Sequence, residues 1–364
     1  MTVINHGVPV TFPALTDEER ERKTLIPAGK VNIVIDSDTK NEVDDQYAIA
    51  WAAKEKERLN LLAVYAAPFS HDCIKQYLAM PGGAVEGAGV TYAEKPGDGM
   101  ELSYEEILKL FAMLGEDPEG RVFRGSDAYI KDAGGAVDSE AARDLIKRAH
   151  ACEDTLYVLS IGAITNVASA IMMDPEIIKK ICVVWLGGQP LHYGHGIEFN
   201  LMQDVPAANV IFESGVPLIY IPCMSVASLL TLTEDEIRTH LTGKNELTTY
   251  LGDNCLNAFA APEVSSMMNM FLRNLYLKGR DDQPMDYLGA FKSVKASNSR
   301  IIWDISTVAT VFNPSWQCSK LVHAPVVNDD LSYAEKRLEH KIREVNYLFR
   351  DYIFGEMFHA LTEK

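Results

Sequence analysis

The chain has 364 residues, and 34 Lys and Arg against 51 Asp and Glu leave a formal charge of −17. With 47% hydrophobic and 23% charged residues it has the make-up of a folded globular protein, which excludes disorder as the main state. The acidity argues against a nucleic-acid partner, which needs clustered Lys and Arg, and no segment reaches the ~18 apolar residues of a membrane span.

Residues 1–30 read as an irregular N-terminal leader without the apolar run of a signal peptide. Residues 31–35 are a short β-type run that stops at Asp36. A helix follows from about Asp44, and residues 61–65 make a second strand, so the chain opens as a βαβ unit with a parallel pair. Residues 66–103 form a long loop rich in Gly and Pro, of the kind that often covers a site. Helices are expected at 104–115 and 139–151, a strand at 156–160, and a helix beginning at 166–172. The near-continuous apolar run 181–186 suits a strand covered on both faces. A helix at 205–213, a strand at 217–221, mainly helical chain at 233–278, a late strand at 322–327 and a helix at 335–361 complete the pattern. This alternation predicts one α/β domain over 31–364, a doubly wound, mostly parallel sheet with helices on both faces. Ligands of such sheets bind beyond the carboxyl ends of the strands. Six scattered cysteines with no Cys-x-x-Cys pair fit reduced thiols and a cytoplasmic location.

The sharpest local feature is Asp36-Ser37-Asp38-Thr39-Lys40-Asn41-Glu42-Val43-Asp44-Asp45, with five carboxylates directly after a buried strand. Such acids repel one another unless a counter-charge joins them. The loop carries one Lys, so a divalent cation is the simplest partner, and all-oxygen ligands suit Ca2+ or Mg2+. Helix-capping and strand-end roles account for only two or three of the acids. The spacing is not that of an EF-hand, which needs Gly sixth and Glu twelfth, because those positions are Asn41 and Tyr47. Asp36-x-Asp38 with the late pair Asp329-Asp330 also resembles a haloacid-dehalogenase-type phosphatase. That pattern needs a Lys and a helix well before the late pair, and Lys320 stands too close.

A second segment, Leu159-Ser160-Ile161-Gly162-Ala163-Ile164-Thr165-Asn166-Val167-Ala168, follows a strand and opens a helix. Third and fourth come Glu198-Phe199-Asn200 with Asp204, then Trp303-Asp304 at the head of a helix. In this order and spacing the four segments resemble the inosine–uridine-preferring nucleoside hydrolase family, over about residues 31–314. The resemblance implies hydrolysis of a small-molecule nucleoside to base and ribose, with Ca2+ held by residues matching Asp38, Asp45, the Thr165 carbonyl and Asp304. It implies sugar contacts from Asp44, Glu198 and Asn200, deprotonation of the attacking water by Asp38, and a supporting role for Asp36 behind the loop. It also implies a homodimer or homotetramer.

The chain departs from the family pattern in places. Its acidic loop is two residues longer, with Thr39-Lys40 where Pro-Gly is usual. Pro68 and His192 stand where sugar-contacting Asn residues are common, which makes His192 a candidate substrate contact. Trp303 replaces a His that often precedes the late Asp. An indole cannot protonate a leaving base but can stack on a purine, so Trp303 points to purine preference, with His71, His192 and His195 on the leaving-group side. Hydrolysis of another ribosyl compound, or binding without turnover, are the competing expectations.

Overall fold

The computed structural model describes residues 3–78, 90–259 and 299–364. After a short hairpin, β1 (Ile4–Asn5) with β2 (Val8–Pro9), the sheet is built from β3 (Val31–Ser37), β4 (Leu59–Ala66), β5 (Val122–Arg124), β6 (Leu156–Ser160), β7 (Ile181–Leu186) and β8 (Leu218–Ile221). A separate antiparallel pair, β9 (Thr231–Thr233) and β10 (Ser299–Ile301), comes next, and β11 (Gln317–His323) and β12 (Lys341–Leu348) complete the sheet. Its order is β11-β12-β8-β7-β6-β3-β4-β5, parallel throughout except for the edge strand β11.

The order places the site. From β3 the chain runs outward through β4 to β5, then returns to the other side of β3 as β6. The winding reverses between β3 and β6, and the crevice at such a reversal is where doubly wound sheets bind ligands. Asp36 lies opposite Ser160 across that pair, so the acidic loop and the Gly162–Asn166 turn leave the sheet side by side.

Alternate residues of the strands face two separate cores. Ile33 and Ile35 pack against helices Asp45–Lys54, Pro96–Leu114, Ile305–Phe312 and Arg350–Glu363. Val34 faces the other way, with helices Glu140–Ala151, Thr165–Met173 and Val205–Ser214. β6, β7 and β8 are buried along their whole length, as their apolar runs require.

Several expectations need correction. The leader is not irregular. Besides the hairpin it holds a helix, Asp17–Thr24, opened by a reciprocal cap between Thr16 and Glu19 and docked through Arg343 Nε on Thr24 Oγ1 at 3.0 Å. Its residues are charged on every side, so no apolar stripe announced it. The loop 66–103 is partly helical, with Asp72–Leu78 inside it and a long helix starting at Pro96, whose ring suits a helix's first turn. Residues 79–89 of that loop lie outside the described residues. The late strand is Gln317–His323 rather than 322–327, and 335–361 is not one helix: β12 occupies Lys341–Leu348 and the helix begins at Arg350. In the region 233–278, helices Glu234–His240 and Glu246–Phe259 are present, and residues from 260 onward lie outside the described residues. Among the described residues, no helix is long and apolar enough to cross a membrane.

Candidate active site

The acidic loop is held from all sides. Asn41 N–H donates to the Asp38 carbonyl at 2.7 Å, Gln46 Nε2 to the Thr39 carbonyl at 2.7 Å, and Thr91 N–H to the Asn41 carbonyl at 3.0 Å. Two ion pairs pin the extra length: Lys40 to Glu106 at 3.1 Å and Arg300 to Glu42 at 2.8 Å. Behind the loop, Asp36 accepts from Asn166 Nδ2 at 2.8 Å and Ser160 Oγ at 3.2 Å. Burial nevertheless lifts Asp36 to about 7 against those donors. Gly162 lies close against the loop where the β6 turn meets it: a Cβ there would stand 3.1 Å from Asp38 N and 3.2 Å from Asp38 Cβ, so a side chain would push its neighbours by a few tenths of an ångström.

Asp44, Asp45 and Asp304 converge, with one carboxylate oxygen from each lying within 4.8 Å of the others. All three are buried, as is Asp38. Burial raises Asp38 well above the ordinary carboxylate range, and the charges of Asp45 and Asp44 raise it further. Asp304 is raised by burial and then by the charges of Asp44, Asp45 and Asp38. Asp44 is raised by burial, Glu42 and Asp45 against the pull of Arg300, and Asp45 reaches about 7 by burial, opposed by Ser37 Oγ donating at 2.6 Å.

Two ionised carboxylates 4.8 Å apart repel by about 3 kcal/mol at an effective dielectric of ~20. Three such pairs together rival the net stability of a typical domain, about 5–15 kcal/mol. The acids therefore require either bound protons or a cation. Among the described residues, Asp38 Oδ2 is buried with no hydrogen-bond partner. An all-carboxylate set with an orphaned buried oxygen fits a hard divalent ion.

Across the crevice, Glu198 caps the short helix Phe199–Gln203. It accepts from the N–H groups of Gly188 at 2.7 Å, Asn200 at 2.9 Å and Leu201 at 3.1 Å. Burial holds it at about 7 against those donors. Asn200 spends Nδ2 on the carbonyls of Leu186, at 3.0 Å, and Ile161, at 3.3 Å, which leaves Oδ1 to accept from a ligand hydroxyl. Thr165 donates its hydroxyl to Asp204 Oδ2 at 2.7 Å, so a metal role for this residue falls to its main-chain carbonyl.

Trp303 is half-buried beside Asp304 and packs on the first core. His192 is exposed on the turn Leu191–Tyr193, edge-on to Tyr193, outside the buried acid cluster. His71 is buried among Phe69, Tyr92 and Phe199, and burial depresses it to about 4, a neutral ring at physiological pH. His195 accepts the Ile197 N–H at 3.3 Å, and Pro68 is buried past the end of β4.

The sequence singled out Asn166 only as part of a motif. It ties Asp36 to Ala66 through Nδ2, and Ser126 to the same corner through Oδ1 at 2.7 and 2.8 Å. The Arg300–Glu42 pair was also missed, because 258 residues separate its members.

A family model described as inosine-uridine preferring nucleoside hydrolase matches residues 33–342. A probable uridine nucleosidase 2 of Arabidopsis thaliana is 24% identical over 225 residues, 60% of this chain and 67% of that protein. A putative pyrimidine-specific ribonucleoside hydrolase of Shigella boydii is 36% identical over 92 residues, 24% of this chain and 37% of that protein. Among solved structures, a purine-preferring ribonucleoside hydrolase from Gardnerella vaginalis superposes with a TM-score of 0.62 at 18% identity, covering 91% of this chain and 98% of that one.

Proposed function

Since the chain belongs to the inosine–uridine-preferring nucleoside hydrolase family, and so to the hydrolases acting on N-glycosyl compounds, we propose that it cleaves ribonucleosides to free base and ribose. The observation that carries the assignment is the buried convergence of Asp44, Asp45 and Asp304 after the carboxyl end of β3, with the nearby loop residue Asp38 buried and its Oδ2 without a partner among the described residues. Asp38, Asp45, Asp304 and the Thr165 carbonyl would hold Ca2+, which supplies a fixed positive charge that orients sugar hydroxyls and acidifies water.

The rest is work for the chain's own side chains. Asp38 receives the proton of the attacking water at Oδ2. Asp44, Glu198 and Asn200 Oδ1 receive sugar hydroxyls and fix the ring, converting an encounter into an oriented attack. Breaking the N-glycosidic bond builds positive charge on the ribosyl carbon, and the surrounding carboxylates stabilise that charge more than the neutral ground state. Burial of the acids excludes bulk water and strengthens these interactions. Trp303 stacks on the base and favours purines. The names of the relatives span uridine, pyrimidine and purine substrates, so the base preference rests on this indole. The six free cysteines support a reducing, cytoplasmic setting.

Inosine and uridine, incubated with the calcium-loaded protein, are expected to release reducing sugar, and phosphate monoesters no phosphate. Phosphate release that depends on Mg2+, with both nucleosides intact, would overturn the assignment.

A further inference from the structure

The loop that carries Glu198 is tied to the far end of the chain. Gly188, whose N–H holds Glu198 Oε2 at 2.7 Å, sits at φ +64, and a Cβ on it would lie 2.3 Å from the Tyr220 hydroxyl. Its neighbour Gln189 is fully buried. The Gln189 N–H donates to the Tyr333 hydroxyl at 3.1 Å, and its carbonyl accepts from the hydroxyls of Tyr333 and Tyr220, each at 2.9 Å. Its side chain binds the Ile197 carbonyl at 2.8 Å and the Met224 N–H at 3.2 Å. Tyr333 belongs to a segment zipped to the same loop, with Gly196 N–H on the Leu331 carbonyl at 2.7 Å and Tyr333 N–H on the Gly194 carbonyl at 2.9 Å. Leu331 is buried at φ +66, a conformation a branched residue adopts only where its surroundings impose it.

We propose that Tyr333 and Gln189 are positioning residues that fix Glu198 in the sugar pocket. This rests on Glu198 being a sugar contact, as the proposed function has it. The Tyr333 hydroxyl is at once acceptor for the Gln189 N–H and donor to its carbonyl, so it sets the 188–189 turn and thereby aims the Gly188 N–H at Glu198. A Phe at 333 leaves that buried N–H unpartnered, and the turn relaxes to find water. The Tyr220 hydroxyl reaches the Gln189 carbonyl at 2.9 Å and the Tyr333 hydroxyl at 2.8 Å, and the Gln189 N–H goes to Tyr333, so the Tyr220 hydroxyl matters less.

The test uses free ribose as a competitive probe and calcium titration as the control. Tyr333→Phe should weaken ribose binding roughly tenfold while calcium affinity stays within about twofold, and Tyr220→Phe should weaken it less. Where nucleosides are turned over, KM should rise more than kcat falls. Unchanged ribose affinity in Tyr333→Phe, or ribose and calcium affinities falling together, overturns the inference. Wild-type protein that binds ribose but turns over no nucleoside overturns the proposed function and leaves the positioning inference to be judged on ribose binding alone. Wild-type protein that neither binds ribose nor turns over a nucleoside overturns both.

Discussion

Calcium should stabilise this protein strongly near neutral pH and weakly in acid. Without metal, the clustered acids relieve their repulsion by holding protons. Asp45 and Glu198 stand at about 7, as does Asp36 behind the loop, against ~4 in an unfolded chain. A carboxyl whose proton is held more tightly in the fold stabilises it fully below pH ~4, and that contribution is lost as pH rises through about 7. Metal-free protein therefore loses stability between pH 5 and 7.5. Calcium must displace at least the proton on Asp45, so its apparent affinity falls at least about tenfold per pH unit below about 7. At a concentration a thousandfold above the neutral dissociation constant, calcium adds about 4 kcal/mol at pH 7.5. At pH 5 the same concentration is at most about tenfold above it and adds no more than ~1.4 kcal/mol. With an unfolding entropy of ~2 cal/mol/K per residue, those gains raise Tm by about 5 °C and at most about 2 °C. Differential scanning fluorimetry of chelator-treated protein, with and without calcium at both pH values, reads this directly. A calcium-induced shift that is independent of pH, or larger at pH 5, would refute the protonated-cluster account.

Three further outcomes are expected. Asp304→Asn should abolish most of the calcium-dependent Tm shift at pH 7.5, with affinity by calorimetry down at least roughly tenfold because the ligand set loses a charge. Asn166→Ala removes the bridge among Asp36, Ala66 and Ser126 and should cost about 2–4 kcal/mol in urea unfolding. A cost near zero would show that the Asp36 corner is not held as described. Trp303→Ala should raise the KM for inosine at least roughly tenfold more than that for uridine, and equal losses would make Trp303 only core.

Much of the framework was legible because buried parallel strands need continuous apolar runs, and those between 31 and 221 stand out from their surroundings. The acidic loop was legible for the opposite reason: five carboxylates after a buried strand have no cheap explanation in packing alone. The charged helix Asp17–Thr24 and strand β12 were hidden, since neither has the clean apolar period of its class. Ile342, Glu344 and Val345 of β12 are all buried, Glu344 through an ion pair with Lys320 at 3.3 Å that the sequence does not announce. The partners that aim the acids were invisible for a different reason. Asn166 with Asp36, Arg300 with Glu42, and Tyr333 with Gln189 are joined across more than a hundred residues by the tertiary fold, which sequence pattern alone does not fix.

In the proposed reaction Asp38 takes a proton from water beside a cation that it holds together with Asp45 and Asp304. Steady-state turnover of inosine by calcium-loaded wild type and Asp38→Asn tests it most directly, with the calcium-induced Tm shift measured on the same samples. kcat is expected to fall by about 10²–10⁴ in the variant, while a calcium-induced Tm shift remains. Turnover within a few-fold of wild type would contradict it.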